Sequence, residues 1–310
     1  MNIVFMGTPE FAVPSLQILL ANNYNVSAVV TAPDKPRGRG QQVSFTPIKT
    51  FALQHKIHVL QPEKLNDEKF LQPLKQLHPD LFVVVAFRIL PKEVYTIPSR
   101  GAFNLHASLL PKYRGAAPIN WAIINGEKES GVTSFFLQEK VDTGNIILQA
   151  RTAVRPEMNA GELHDVLSEI GAEIVLQTVR LIELGRANPR AQENELASPA
   201  PKIFKETCRI DWNQPSEKIH NLIRGLSPYP AAWTMLEGKQ IKIFQSKIFH
   251  NRFPIENISA GEIAITENSL LVKTKDSALE ILEIQQEGKK RMSVEDFLRG
   301  FKFTSAKRFM

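Results

Sequence analysis

The sequence predicts a doubly wound α/β domain followed by a small β-barrel, and three observations carry that expectation. The chain has 310 residues, enough for two cores of ordinary size without covalent staples. Its first part alternates short apolar runs with amphipathic segments, the pattern of a parallel sheet covered by helices. After Arg209 the texture changes to evenly spaced, short strand-like runs, as in a small barrel.

The elements follow in chain order. Strands are expected at residues 3–6, 26–31, 59–60, 81–86 and 102–106, with helices at 14–21, 47–54 and 67–76 between them. The first strand runs into Gly7, Thr8, Pro9 and Glu10, which lack the later glycines of a dinucleotide fingerprint. No acidic residue closes the second strand, so NAD is disfavoured. Gly7 instead suits a tight strand-to-helix turn, with Pro9 opening the helical region. Strands at 132–138 and 146–152 are joined by a turn around Asp142, Thr143, Gly144 and Asn145. A long helix is expected over roughly 160–184. The proline-punctuated stretch after it marks a linker, so the expected domains are 1–189 and 206–310, joined by 190–205. Strands at 240–243, 261–266, 270–273 and 279–284 build the barrel.

Two stretches carry chemistry. Asn104 and His106 are two apart on a strand, so their side chains emerge on one face while Leu105 faces the other. They stand where the strand gives way to a Pro- and Gly-rich loop, the edge at which open α/β sheets build their sites. Asp142 could reach the same edge and hold the imidazole in one tautomer or support its charge. An Asn and a His at a strand end can equally serve backbone groups, and an Asp in a turn can be no more than a turn former. The second stretch is the connection over 32–46, longer than the 2 to 6 residues roughly usual between strand and helix. Lys35, Arg37 and Arg39 interleave there with Pro36, Gly38 and Gly40, giving a mobile cationic segment suited to phosphate, or else a bare surface loop.

Composition bounds the rest. The net charge is +6, and over residues 209–310 Lys and Arg outnumber Asp and Glu by 16 to 12, which raises the odds of a polyanionic partner. The lone Cys208 excludes an intrachain disulfide and fits a reducing compartment. The seven His and one Cys form no compact metal-ligand spacing. A cleaved signal or membrane span is not expected, and the protein should be cytoplasmic.

The run from Asn104 through His106, Pro111 and Arg114 to Gly115, with Asp142, Thr143 and Gly144 downstream, resembles the active-site signature of folate-dependent formyltransferases. Similarity extends through residues 3–16, 33–40 and 223–233 and so spans nearly the whole chain. The resemblance implies a Rossmann-like formyltransferase domain with an OB-like tRNA-binding module behind it. It implies 10-formyltetrahydrofolate as cosubstrate, methionyl initiator tRNA as acceptor, and Asn104, His106 and Asp142 as the catalytic trio. It places folate against Phe87, Arg88, Ile89 and Leu90 and against Ser108, Leu109, Leu110 and Pro111. It assigns the tRNA acceptor arm to the inserted loop with Lys35, Arg37 and Arg39. Three departures from the family's pattern stand out. Phe87 and Arg88 replace a slightly longer run with an aromatic followed by glycine, Ala107 replaces proline, and Gln41 and Gln42 replace basic residues. Formylation of a small amine, such as an amino sugar or glycinamide ribonucleotide, would use the same trio, and a catalytically silent tRNA-binding protein could share the scaffold. The basic loop and basic second domain speak against the first, and the intact trio against the second.

Overall fold

The computed structural model describes residues 1–37, 42–250, 259–266, 269–301 and 308–310. Its chain divides into two compact units: residues 1–116, 130–152 and 164–200 form the first, and residues 117–129, 153–163 and 201–310 the second. Among the described residues no helix is long and apolar enough to cross a membrane.

The first unit is built on a seven-stranded sheet in the order Ile146–Ala153, Glu129–Phe136, Ala102–His106, Leu81–Val85, Asn2–Gly7, Asn25–Val30, His58–Leu60. The strands from His58–Leu60 through Ala102–His106 pair in parallel, and Glu129–Phe136 runs antiparallel to Ala102–His106. This is the doubly wound arrangement the alternating apolar runs predict. Leu81–Val85 shows why: all five residues are buried, as a central strand covered on both faces requires. The sheet reverses its winding between Asn2–Gly7 and Leu81–Val85, the switch point beside which open α/β sheets place their sites. Gly7 lets the chain turn closely there, since a Cβ on it would lie 2.8 Å from that of Ala12.

The long helix Ala160–Glu183 covers one face of the Ala102–His106 strand. Its Gly171 sits so close that a Cβ would come within 2.7 Å of Leu105 Cδ2. Leu105 therefore faces the helix, and strand alternation turns Asn104 and His106 to the opposite face. The segment expected as a linker is partly built into this unit. Arg190 exchanges two backbone hydrogen bonds with Ile146, and Pro199–Ala200 pairs with Arg114–Gly115.

In the second unit an antiparallel sheet runs in the order Ala232–Leu236, Lys239–Phe249, Ala278–Gln286, Leu270–Lys273, Ile263–Ile265, with Met292–Ser293 also on Ala278–Gln286. Residues 308–310 join its two edges. Met310 exchanges two backbone hydrogen bonds with Met235, and the Phe309 N–H donates to the Gly261 carbonyl. That ring encloses Ile241, Ile243, Leu270, Val272, Leu279, Ile281 and Trp212. Trp212 stacks on Phe309 with centroids 5.5 Å apart and donates to Thr234 Oγ1 at 3.0 Å, so it is core. The helix Ser216–Leu226 lies against Pro118–Ile124. Asn120 donates to the Gly225 carbonyl at 2.7 Å, and a Cβ on Gly225 would meet Ile124 Cγ1 at 2.6 Å.

Candidate active site

Three loops of the first unit meet at the C-terminal end of the Ala102–His106 strand, and backbone conformation marks each. Ala86, directly after Leu81–Val85, has φ +49°, Tyr113 has φ +63° and Asp142 has φ +54°. Non-glycine residues in this region are held there by their surroundings at a cost of about 1–3 kcal/mol each, and such positions gather at functional sites.

His106 is buried and has two defined neighbours. Its Nε2 lies 2.8 Å from the Tyr113 carbonyl oxygen; a carbonyl only accepts, so Nε2 carries a proton. The other ring nitrogen, Nδ1, faces Asp142 Oδ2 at 3.8 Å. That separation exceeds a hydrogen bond. The same Asp142 oxygen accepts from the Gly115 N–H at 2.9 Å, which anchors it. Asn104 stands two residues before His106, half-buried, and its side-chain amide has no hydrogen-bond partner among the described residues. A donor held on a rigid strand with nothing to bond is what a developing oxyanion requires.

The loop between His106 and Tyr113 is held from beneath by Thr133. This fully buried hydroxyl donates to the Ser108 carbonyl at 2.6 Å and accepts from the Leu110 N–H at 3.1 Å and Gln149 Nε2 at 3.0 Å. Gln149 Nε2 also donates to the Leu110 carbonyl at 2.9 Å, and Ser108 Oγ donates to the Lys112 carbonyl at 2.6 Å. The Leu110–Pro111 peptide is cis. The turn carrying Asp142 lies directly on the sheet: a Cβ on Gly144 would come within 1.6 Å of the Phe136 carbonyl oxygen, so only glycine fits there.

The residues expected around a folate divide into two kinds. Phe87 and Leu90 pack into the apolar layer under the sheet, while Ile89 is 72 % exposed. Arg88 donates to the Pro62 carbonyl at 2.7 Å and the Glu63 carbonyl at 2.9 Å, and burial pushes the proton affinity of its guanidinium down from the ordinary value. Its side chain therefore ties two loops together. Ser108 and Leu110 are buried, with Leu109 and Pro111 half-buried beside them.

The inserted stretch is more ordered at its base than its charge and glycines predict. Lys35–Arg37 and Gln42–Ser44 pair as an antiparallel hairpin. Thr31 and Thr46 close its root through a buried 2.9 Å side-chain hydrogen bond. Beside them Lys49 bridges Asp34 and Gln61, and Gln61 Nε2 donates to the Asp34 carboxylate at 2.9 Å. Hydrogen bonds from Lys49 first, then from Gln61, hold the Asp34 carboxyl below its usual pKa. Lys35 is exposed, Arg37 lies on the hairpin strand, and Arg39 and Gln41 fall outside the described residues.

Thr133, Gln149 and Gln192 brace these loops and went unnoticed in the sequence, and Tyr113 and Gly115 lie inside the recognised run without having been given a role. Each acts through a backbone group or across a long stretch of chain, and neither leaves a local pattern.

Family models match the chain over two spans. Residues 1–179 match the formyl transferase model, and residues 202–302 match that of the formyl transferase C-terminal domain. The chain belongs to the formyltransferase family. Among its formyltransferase relatives, the methionyl-tRNA formyltransferase of Bacteroides fragilis is 48 % identical over 99 % of this chain and 97 % of its own length. The enzyme of the same name from Caldanaerobacter subterraneus is 49 % identical over 97 % of each chain. The fold is shared with a solved sugar 3N-formyl transferase, WlaRD, at a TM-score of 0.69 and 24 % identity over 94 % of this chain and 99 % of that one. It is also shared with the methionyl-tRNA formyltransferase from Clostridium thermocellum, at a TM-score of 0.56 and 18 % identity over 81 % and 95 %.

Proposed function

We propose that this protein transfers the formyl group of 10-formyltetrahydrofolate to the α-amino group of methionyl initiator tRNA in the cytoplasm. The observation that carries the reading is the arrangement at the strand end: an Asn104 amide with no hydrogen-bond partner among the described residues, two residues before His106, whose Nδ1 faces Asp142. It stands in a chain nearly half identical, end to end, to proteins named for that reaction.

The roles follow from the demands of the reaction. The neutral amine attacks the formyl carbon and forms the new C–N bond, leaving a tetrahedral carbon with a negative oxygen and a positive nitrogen. Collapse re-forms the carbonyl and breaks the bond to the folate nitrogen; one proton leaves the amine and one joins that folate nitrogen. Asn104 donates to the oxyanion, a contribution of about 3–4 kcal/mol for one well-placed donor. His106 works through Nδ1, since Nε2 is taken by the Tyr113 carbonyl. Asp142 steadies the imidazole when it carries the extra proton.

The folate ring lies against residues 87–90 and 108–111. Residues 1–189 perform the chemistry, and residues 206–310 supply salt-dependent contacts to tRNA phosphates. Lys35, Arg37 and Arg39 engage the acceptor arm, and the Thr31–Thr46 and Asp34–Lys49 contacts hold the root of the inserted stretch.

Purified protein with the formyl donor should formylate charged initiator tRNA and leave free methionine untouched. Formylation of an amino sugar nucleotide or glycinamide ribonucleotide in place of charged tRNA would overturn the reading. His106→Ala should abolish turnover while tRNA binding persists, and Arg39→Ala should weaken tRNA engagement; the reverse pattern would undo these role assignments.

A further inference from the structure

Residues 190–200 do more than connect. From 190 to 199 every residue is exposed except Gln192 and Ser198, which are half-buried, and both reach the loops around His106. Gln192 uses its full hydrogen-bonding capacity. Its Nε2 donates to the Asp142 carbonyl at 2.9 Å and the Gly144 carbonyl at 2.8 Å. Its Oε1 accepts from Arg114 Nε at 3.1 Å and Nη2 at 2.7 Å. Arg114 directly precedes Gly115, whose N–H anchors the Asp142 carboxylate. Six residues on, Ser198 Oγ accepts from the Tyr113 N–H at 2.9 Å, and the Tyr113 carbonyl receives the His106 Nε2 proton.

We propose that Gln192 is a positioning residue for formyl transfer: its side-chain amide fixes the turn that presents Asp142 to His106 Nδ1, and Ser198 seconds it by fixing Tyr113. The inference rests on the catalytic reading of Asn104, His106 and Asp142 given above. Asp142 sits at φ +54°, a conformation that an Asp keeps only when its surroundings hold it. The two donations from Gln192 span Asp142 to Gly144, and its acceptor oxygen ties that turn to the strand carrying the carboxylate's own partner. Loosening the clamp lets the carboxylate drift from Nδ1, and a displacement of roughly 1 Å at a reacting group costs on the order of 100-fold in rate.

The test compares Gln192→Ala and the isosteric Gln192→Glu, which keeps the shape but has no N–H to give the two carbonyls. Formylation of charged initiator tRNA is measured for each, alone and in an Asp142→Asn background. Both single variants should lose about 10- to 100-fold in kcat, with KM for tRNA and folate changed less than about 3-fold. In the Asp142→Asn background, adding either change should cost less than about 2-fold, because a residue acting through Asp142 has nothing left to position. A kcat within about 2-fold of wild type for Gln192→Glu, or a loss that multiplies in full on Asp142→Asn, overturns the inference. Should Gln192→Ala fail to fold, the Gln192→Glu pair decides alone. If the wild type itself formylates no charged tRNA, the fault lies with the proposed function and not with the clamp.

Discussion

Thr133→Val removes one buried hydroxyl and little else, which makes it a direct test of what holds the loop beside His106. Valine matches threonine in shape, so no cavity forms. The buried Leu110 N–H and Ser108 carbonyl lose their partner, while the half-buried Gln149 amide loses its bond to Thr133 but keeps the one to the Leu110 carbonyl. Two stranded groups at about 1–3 kcal/mol each, partly relieved by local shifts, give an expected loss of about 2–4 kcal/mol. Thr133→Ser is the control: it keeps the hydroxyl and gives up one methyl, about 0.8 kcal/mol. Apolar burial alone would rank valine above serine, whereas the hydrogen-bond argument ranks serine above valine, so the sign decides. Urea titration followed by far-UV circular dichroism should show the valine midpoint well below the serine midpoint at unchanged slope. A valine variant as stable as the serine variant would refute the reasoning.

Two further outcomes follow from the geometry. Asn104→Ala should lower kcat by about 100- to 1,000-fold and leave the urea midpoint within about 0.5 kcal/mol of wild type, because this amide bonds to nothing among the described residues; steady-state formylation and the same titration check both. His220 is buried in the second unit beside Ser246, and burial pushes its pKa down; the Arg224 charge pushes the same way, and Glu157 and Glu217 oppose both. The unfolded chain therefore takes up a proton that the native state refuses, so stability is complete above the unfolded value of about 6.5 and falls as the pH drops below it. All three tryptophans, Trp121, Trp212 and Trp233, lie in this unit. Fluorescence-monitored urea midpoints should decline from pH 8 to pH 5.5 in the wild type and less steeply in His220→Gln; equal slopes would contradict the assignment.

What could be read in advance depended on how local its cause was. Leu81–Val85 announced itself because a strand buried on both faces must be apolar throughout. The pairing of Asn104 and His106 followed from strand alternation alone. The helix Ser216–Leu226 escaped notice although it is amphipathic, since its buried face includes His220, Asn221 and Arg224, and polar residues on the covered side blur the apolar period. Arg224 is accommodated there by donating to Asn221 and to the Met158 carbonyl, partners that no spacing rule connects. The hairpin Lys35–Arg37 with Gln42–Ser44 was hidden for another reason: its order comes from Thr31, Thr46, Lys49 and Gln61 outside it. Gln192 was illegible because an exposed polar stretch looks the same whether or not one amide in it turns inward.

The interleaving of the two units has a consequence for synthesis. The helix Pro118–Ile124, with Ala122 and Ile123 buried in the finished protein, leaves the ribosome long before Ser216–Leu226, against which it packs. Close to 100 residues separate 124 from 216–226, and at about 5–20 residues per second the wait is on the order of 5–20 s. Throughout that interval the apolar residues of this segment lack the partner they pack against, so a slowed codon stretch between 124 and 216 lengthens their exposure without altering a single residue.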